Sequence, residues 1–225
     1  MNLDSAEEFP VYAANTGIGQ DVARILYSKN ATVWVTARND EKGANGIASI
    51  TEEHPESKGA LKFYHLDLRD LSIIKAATKL LTPALVETAK TAPKNSVRVV
   101  WVSSSTADHL TPTGGIDLDN LDYKRDFFYD WKYGMSKAGD YYHATKYARQ
   151  HREYGIISVS LNPGNLRTEL DRNRSIVERW FRYATVYPVI NGAYTELYAG
   201  YQIMEVTGIA EKFWKWSEEQ TTASA

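Results

Sequence analysis

The apolar residues of this chain fall into short continuous runs that alternate with longer segments of helical periodicity. Short runs rich in β-branched residues are typical of strands buried on both faces, and an apolar stripe every three or four residues is typical of a helix packed on one face. Strands are therefore predicted at 9–13, 31–37, 61–66, 97–102 and 156–161, and helices at 19–29, 71–89, 133–152 and 175–183. This alternation predicts an α/β fold in which a doubly wound parallel sheet carries helices on both faces.

Three segments depart from the regular pattern. Pro10 lies in the first predicted strand, where a proline is tolerated only at a strand start or edge. Pro83 lies inside the helix predicted at 71–89 and is expected to interrupt it. The small polar tail at 218–225 is expected to be disordered. With 225 residues, the chain is predicted to form a single domain, 1–225.

Composition excludes several classes of function. Lys and Arg number 26 against 28 Asp and Glu, so the net charge of -2 provides no field to attract nucleic acid or an anionic membrane. Without cysteine there are no disulfides, thiolate nucleophiles or iron–sulfur clusters, and the five histidines lack metal-ligand spacing. No signal-peptide pattern and no run of about 18 apolar residues is found, so the chain is predicted to be cytoplasmic, with no membrane span.

The segment Asn15–Gly19 (NTGIG) follows the first predicted strand and opens the first helix. Glycines at such a turn let the backbone approach a pyrophosphate, and the free N–H groups of the helix N-terminus attract its charge. An ordinary strand-to-helix turn has the same composition, so both interpretations remain open at this point. The position favours phosphate binding, because this is the first strand–helix junction of an alternating chain.

Arg38 follows the second predicted strand directly. In a dinucleotide-binding fold this is the place where the ribose 2′ position is read. An acidic residue would accept hydrogen bonds from the hydroxyls of NAD, whereas the planar guanidinium suits the additional phosphate of NADP. Arg38 therefore favours NADP as the cofactor, with a solvated surface arginine as the alternative.

The fourth predicted strand runs into Ser103–Ser105, and the segment YGMSK places Tyr133 and Lys137 four residues apart in a predicted helix. That spacing puts both side chains on one helical face. An ammonium group beside a phenol favours the phenolate, which brings the phenol toward the range where it can transfer a proton. A surface i,i+4 pair remains the alternative interpretation for any Tyr-x-x-x-Lys.

After the last predicted strand, the Pro-Gly turn in 162–168 lies at a strand's carboxyl end, where open α/β sheets bind ligands.

Together these motifs resemble the short-chain dehydrogenase/reductase family, in the branch of retinol-dehydrogenase-like and fungal secondary-metabolism enzymes. The resemblance covers residues 9 to about 204 and is carried, in the family's order, by NTGIG, Arg38, HLDL with Asp67, WVSSS, YGMSK and LNPGNLRT. It implies a Rossmann-like domain that binds a nicotinamide dinucleotide.

The resemblance also implies a role for each motif. Tyr133 matches the proton donor, Lys137 the residue that lowers its pKa and binds the ribose, and Ser104 the residue that polarises the substrate carbonyl. Asp67 matches an adenine contact, and the loop 164–168 covers the nicotinamide. The implied cofactor-binding residues are Asn15, Gly17, Ile18, Gly19, Arg38, Asp67, Tyr133, Lys137, Gly164, Leu166 and Thr168. No metal site is implied.

Two departures from the family bear on activity. Tyr12 and Ala13 stand where the family has Thr-Gly before the glycine turn. Ser104 lies only 37 positions after Asp67, where the family has a central strand ending in Asn-Asn-Ala-Gly and a helix with a catalytic asparagine. The fold is therefore predicted to have one central strand fewer than the family. Either the first strand pairs directly with the strand at 97–102, or the domain is loose, because unpaired buried backbone costs free energy.

The resulting prediction is an NADP-dependent oxidoreductase that interconverts a carbonyl and an alcohol on a small lipophilic substrate. Aromatic residues are candidates for the substrate-pocket wall, although core packing explains them equally well: Phe127, Phe128, Trp131, Trp180, Phe181 and Tyr187. Two alternatives remain, an inactive family member that binds NADP or a partner, and a truncated product of an active parent. A homo-oligomer is compatible with the resemblance.

Overall fold

The computed structural model describes residues 11–67, 71–121, 123–167 and 186–201, with the backbone alone at 11–14, 71–80 and 201. Five strands lie within these ranges: β1 Val11–Ala14, β2 Thr32–Ala37, β3 Ala60–His65, β4 Arg98–Val102 and β5 Ile157–Leu161. The α-helices of the same ranges are α1 Gly17–Ser28, α2 Asp40–Glu53, α3 Leu71–Thr91, α4 Thr106–His109, α5 Tyr129–His151 and α6 Val189–Tyr201. Single 3₁₀ turns lie at Leu118–Asn120 and Arg152–Tyr154.

The predicted strands are confirmed with small shifts of their ends, and α1, α3 and α5 confirm three of the predicted helices. The expected interruption at Pro83 is wrong, because α3 runs without a break from Leu71 to Thr91 with Pro83 inside it. Helices α2, α4 and α6 were not predicted. The helix predicted at 175–183, the tail at 218–225 and the first two residues of the first predicted strand lie outside the described residues.

The described strands form two parallel sheets rather than one. The first has the order β1–β2–β3, with Val11 opposite Val33 and Thr32 opposite Ala60. The second consists of β4 and β5, with Arg98 opposite Ile157. The gap between the sheets coincides with the central strand that the sequence lacks, and direct pairing of β1 with β4 is not observed.

One edge of β4 carries backbone groups that no described strand pairs with. The Ile157 N–H donates to the Val97 carbonyl (3.0 Å), and the Ser103 N–H donates to the Leu161 carbonyl (2.8 Å). In a parallel ladder, alternate residues direct their backbone groups to the same neighbour. The N–H and carbonyl groups of Arg98, Val100 and Val102 therefore point away from β5. We call these three residues the open edge of β4.

The hydrophobic core lies between the first sheet and the helices that cover one of its faces. Its buried residues come from α1, β2, α2 and α6, and include Val22, Leu26, Val33, Val35, Ile50 and Ala193. Helix α6 packs against α1 and also against β4 and β5, so it joins the two sheets. Helix packing thus replaces the missing strand as the connection between the halves.

Helices cover both faces of the second sheet. On one face Trp101 stacks on His143 of α5 (ring centroids 5.6 Å apart) and its indole N–H donates to Ser158 Oγ (2.9 Å). On the other face Arg98 Nη1 lies 3.5 Å from the Ala199 carbonyl oxygen of α6. Because residues 98 and 101 point to opposite sides of a strand, α5 and α6 lie on opposite faces, as a doubly wound fold requires. Each helix within the described ranges is too short or too polar to cross a membrane.

Candidate active site

The first sheet brings the predicted dinucleotide residues to one edge. Strands β1, β2 and β3 run in parallel, so the turn at 15–16, Arg38 and Asp67 all follow carboxyl ends at the same edge. The Asn15 N–H donates to the Thr36 carbonyl (3.2 Å), and the Leu66 N–H donates to the Ala37 carbonyl (2.9 Å). These bonds extend the ladder beyond the strand ends and hold the three segments together. Arg38 is exposed there, and Asp67 is half-buried.

The N-terminus of α1 is open to an anionic ligand. Gly17 has a φ of +62°, which favours glycine, and within the described residues no atom outside its own turn lies within 4 Å of the place where its Cβ would be. The N-cap residue Thr16 makes no capping bond with its side chain, and the first turn contains no acidic residue. The unsatisfied N–H groups of this turn and the positive end of the helix dipole therefore fit a pyrophosphate.

Helix α2 supports the glycine turn from the side. A Cβ at Gly46 would lie 3.1 Å from the Cβ of Asn15, so a larger residue would press on the turn. Asn15 Nδ2 donates to the Lys42 carbonyl (3.3 Å), and the α2 N-cap Asn39 accepts from the Lys42 N–H (2.9 Å). Gly46 was missed by the sequence reasoning, because the helix in which it lies was not predicted.

The second sheet places the serine segment beside the tyrosine helix. Ser103 is buried, and its Oγ donates to the Lys137 carbonyl (2.7 Å). Ser104 is half-buried, and its Oγ accepts from the Thr106 N–H (3.3 Å) at the start of α4. Helix α4 packs on α5 so closely that a Cβ at Gly134 would overlap the Leu110 carbonyl oxygen. The structure therefore brings Ser104 and Tyr133 onto neighbouring segments, as the sequence predicts.

Tyr133 and Lys137 lie on one face of α5, as their spacing predicts. Lys137 Nζ is 5.8 Å from the centroid of the Tyr133 ring, and both side chains are half-buried. Nζ also donates to the Val102 carbonyl (2.8 Å) on the open edge of β4 and to Asp140 Oδ2 (3.0 Å). Asp140 was not among the predicted site residues. The signal for it in the sequence is an acidic residue three positions after the lysine of a helix.

The loop after β5 lies against α6. Gly164 has a φ of +98°, and its N–H donates to Asn162 Oδ1 (3.2 Å). Leu166 is buried, and a Cβ at Gly192 of α6 would overlap its side chain and lie 3.2 Å from Ile18 Cδ1. Gly192 thus brings the loop close to the glycine turn of the first sheet. The loop is further held to Tyr187, whose carbonyl accepts from the Arg167 N–H (2.9 Å). Thr168 lies outside the described residues.

Aromatic side chains lie immediately before and within the first turn of α5. Phe127 stacks on Trp131 with 5.9 Å between ring centroids, and Phe128 is 86% exposed. The Lys132 ammonium pairs with Asp126 and lowers the pKa of that carboxyl, chiefly through their hydrogen bond. Tyr187 is 63% exposed, whereas Trp180 and Phe181 lie outside the described residues.

No group of three acidic or histidine side chains within the described ranges is arranged to hold a metal ion.

Two proteins of similar sequence come from fungi. The chain is 36% identical to a short-chain dehydrogenase/reductase of Phomopsis amygdali over 294 aligned residues, which cover 93% of this chain and 88% of the relative. It is 35% identical to a short-chain dehydrogenase/reductase of Emericella nidulans over 260 residues, covering 93% and 83% of the two chains. Both alignments are longer than the 225 residues of this chain, so the relatives contain stretches without a counterpart here. No protein-family model matches the sequence.

Solved structures share the fold. A short-chain dehydrogenase from Sphingobium yanoikuyae in complex with NADPH superposes with a TM-score of 0.58 at 14% identity, covering 82% of this chain and 80% of that one. An NADPH-bound short-chain oxidoreductase of Pseudomonas aeruginosa with an atypical catalytic center gives a TM-score of 0.60 at 13% identity, covering 85% and 89%. The α/β architecture, the ordered motifs and the fungal relatives agree, and the chain belongs to the short-chain dehydrogenase/reductase family of oxidoreductases.

Proposed function

We propose that the chain is an NADP(H)-dependent oxidoreductase that interconverts a carbonyl and an alcohol on a small lipophilic substrate. The observation that carries the proposal is the arrangement on α5, where the Tyr133 phenol lies beside the Lys137 ammonium. Ser104 follows β4 on the segment that packs against the same helix. Tyr133 donates a proton to the carbonyl oxygen in reduction and accepts it in oxidation, while the Ser104 hydroxyl orients that oxygen.

The residues of the first sheet fit a dinucleotide. The uncapped first turn of α1 holds the pyrophosphate, Asp67 contacts the adenine, and Lys137 binds the ribose. Arg38 is exposed at the end of β2, where its guanidinium pairs with a 2′-phosphate and selects NADP over NAD. When bound, the nicotinamide supplies or accepts the hydride. The NADPH complexes of structurally similar proteins agree with this choice.

The exposed aromatic residues support a lipophilic substrate. Phe127, Phe128 and Trp131 lie within six residues of Tyr133 in the chain, and a small apolar substrate would cover the Phe128 ring. Aromatic rings bind apolar groups over a large area at a low cost in conformational entropy. The proposal therefore favours hydrophobic ketones, aldehydes or alcohols over sugars or charged acids.

The test of the acid/base role is the turnover of NADPH with a panel of hydrophobic ketones. Tyr133→Phe is expected to lower kcat by about 100-fold or more, because general acid–base catalysis contributes factors of that size. Tyr141→Phe is the matched control, since Tyr141 lies two turns further along the same helix and is 57% exposed. Equal rates for Tyr133→Phe and the parent would refute the role.

A second candidate, favoured by the separated sheets and by the contacts of Lys137, is a family member that binds NADP or a partner without turnover. Calorimetry and thermal shift with NADPH and with NADH distinguish the two candidates. A ligand that binds only the folded state raises its melting temperature. Binding of NADPH without its oxidation on any ketone would favour the second candidate. Absence of binding of either cofactor would refute the proposed enzyme and the NADP-binding form of the second candidate.

A further inference from the structure

The missing strand has a direct consequence for Lys137. The Val102 carbonyl belongs to the open edge of β4, which would pair with the next strand in an uninterrupted sheet. Here it accepts a hydrogen bond from Lys137 Nζ at 2.8 Å instead. The lysine therefore satisfies a strand-edge acceptor, and one of its three donors is directed into the sheet.

Asp140 holds the lysine in the same position from its other side. Its Oδ2 accepts from Nζ at 3.0 Å, and the two side chains are only 23% and 31% exposed. A pair at this depth is screened less than a pair on the open surface. The carboxylate also offsets the positive charge of the Lys137 ammonium. The proposed function requires that positive charge beside the ribose and the Tyr133 phenol.

We propose that Asp140 is a positioning residue that holds Lys137 at the open edge of β4 and thereby weakens the binding of the dinucleotide. The inference rests on the proposed function for the identity of the ligand and for the contact between Lys137 and the ribose. Nζ has three N–H donors, and the Val102 carbonyl and Asp140 take two of them, so one donor remains for the ribose. A second hydrogen bond from Nζ to the ribose requires the bond to Asp140 to be released, because the Val102 carbonyl is fixed in the sheet. The measured association constant for the dinucleotide is then the intrinsic constant multiplied by the fraction of molecules in which the lysine is released from Asp140.

The first experiment measures the lysine itself and needs no activity. The intact protein is treated with an amine-acetylating reagent, and the rate of modification at Lys137 is followed by mass spectrometry. Lys146, exposed two turns further along α5, is the internal standard. Asp140→Asn, which keeps the shape but not the charge, is expected to raise the rate at Lys137 by about 3- to 10-fold relative to Lys146. Asp140→Glu is expected to restore most of the protection.

The control for the loss of a nearby charge is Asp108→Asn, an exposed acid of α4. It is expected to leave the rate at Lys137 unchanged. The proposal would be overturned if Lys137 were acetylated at the same rate in Asp140→Asn and in the parent. It would also be overturned if Asp108→Asn raised that rate as much as Asp140→Asn does. Circular dichroism and the melting temperature of each variant show whether it is folded.

The second experiment is a double-mutant cycle on NADPH binding. Asp140→Asn is expected to lower the Kd for NADPH by about 3- to 10-fold in the parent and to have no effect in a Lys137→Met background. The same gain in both backgrounds would mean that Asp140 acts through its field on the ligand, and would overturn the proposal. Absence of NADPH binding in every variant would refute the proposed function instead, while the acetylation rates would still decide whether Asp140 holds the lysine.

Discussion

At the scale of single residues, this protein carries charged side chains at partly buried positions. Glu196 lies on α6, and burial raises the pKa of its carboxyl to about 7. Arg98 lies on β4 beneath the same helix, and burial lowers the pKa of its guanidinium. Removing a charged group from water costs free energy in the folded state. We therefore expect the free energy of unfolding to depend on pH through the Glu196 carboxyl of α6.

Glu196→Gln is expected to stabilise the fold by an amount that grows by about 1 to 2 kcal/mol between pH 5 and pH 8. The pKa of about 7 in the folded state lies above the ordinary value of 4.5, so the folded protein loses stability as pH rises through this interval and the amide does not. Urea unfolding at both pH values measures the gain. Glu52→Gln, at an exposed position of α2, is the control. A gain independent of pH would contradict the prediction.

Arg38→Ser is expected to weaken NADPH binding by about 10- to 100-fold and to change NADH binding little, because the proposed charge-assisted hydrogen bond to the 2′-phosphate would be lost. Fluorescence titration with each cofactor measures both affinities. Lys29→Ser removes the same charge at the exposed C-terminal end of α1, far from the glycine turn. It should leave the ratio of the NADPH and NADH affinities unchanged. An equal loss for the two cofactors would show that Arg38 does not read the 2′ position.

At the scale of the elements, glycines determine how closely helices approach the site. Gly46 lets α2 lie against Asn15, Gly192 lets α6 lie against Leu166 and Ile18, and Gly134 lets α4 lie against α5. In each case a Cβ would meet atoms of the segments that form the candidate site. The short helix α4 has four residues, so its position depends on packing against α5 rather than on its own helical stability.

Gly134→Ala is expected to destabilise the fold by about 1 to 3 kcal/mol, because its Cβ would overlap the Leu110 carbonyl oxygen, a backbone atom that cannot rotate away. Gly139→Ala on the same helix is the matched control, since the nearest described atom outside its own stretch of helix is Ile116 Cδ1, 4.0 Å from the added Cβ. That variant should be neutral or more stable by up to about 1 kcal/mol. Chemical denaturation of both variants measures the change in the free energy of unfolding. The same change in Gly134→Ala and Gly139→Ala would contradict the prediction.

At the scale of the whole molecule, the two sheets of the described residues are joined by helix packing, and no hydrogen-bonded ladder connects their strands. Helix α6 packs on α1 of one half and on β4 and β5 of the other, and Gly192 brings segments of both halves into contact. A continuous sheet couples its strands through backbone bonds, whereas packed helices couple them through side chains alone. The halves should therefore open more independently than those of a continuous sheet.

Hydrogen exchange of the native protein in low concentrations of denaturant is expected to show separate opening of the two sheets. The amides of β2 should exchange with a free energy of opening different from that of the amides of β5. NADPH, which contacts both halves in the proposed function, should bring the two values closer together. A single opening free energy without cofactor would mean that α6 already couples the sheets completely.

The sequence by itself determined the α/β class, the parallel strands and the motifs at their carboxyl ends. Strong β-branched runs define β2, β4 and β5, and the chain order of the motifs places the glycine turn, the serine segment and the Tyr133–Lys137 pair. These features could be predicted because periodicity and spacing are local properties. Weakly patterned helices such as α2, with Gly43 and Gly46, could not, because their stability comes from the groups they pack against.

Only the tertiary structure decided how the chain accommodates its short middle. The choice between direct pairing of β1 with β4 and separate sheets depends on packing between segments far apart in the chain, above all on α6, and no local pattern contains it. The same holds for Lys137, whose spacing from Tyr133 is visible in the sequence but whose bond to the Val102 carbonyl is not. The Val102 carbonyl lies on a strand edge that no described strand pairs with, and which side chain donates to it is determined in three dimensions.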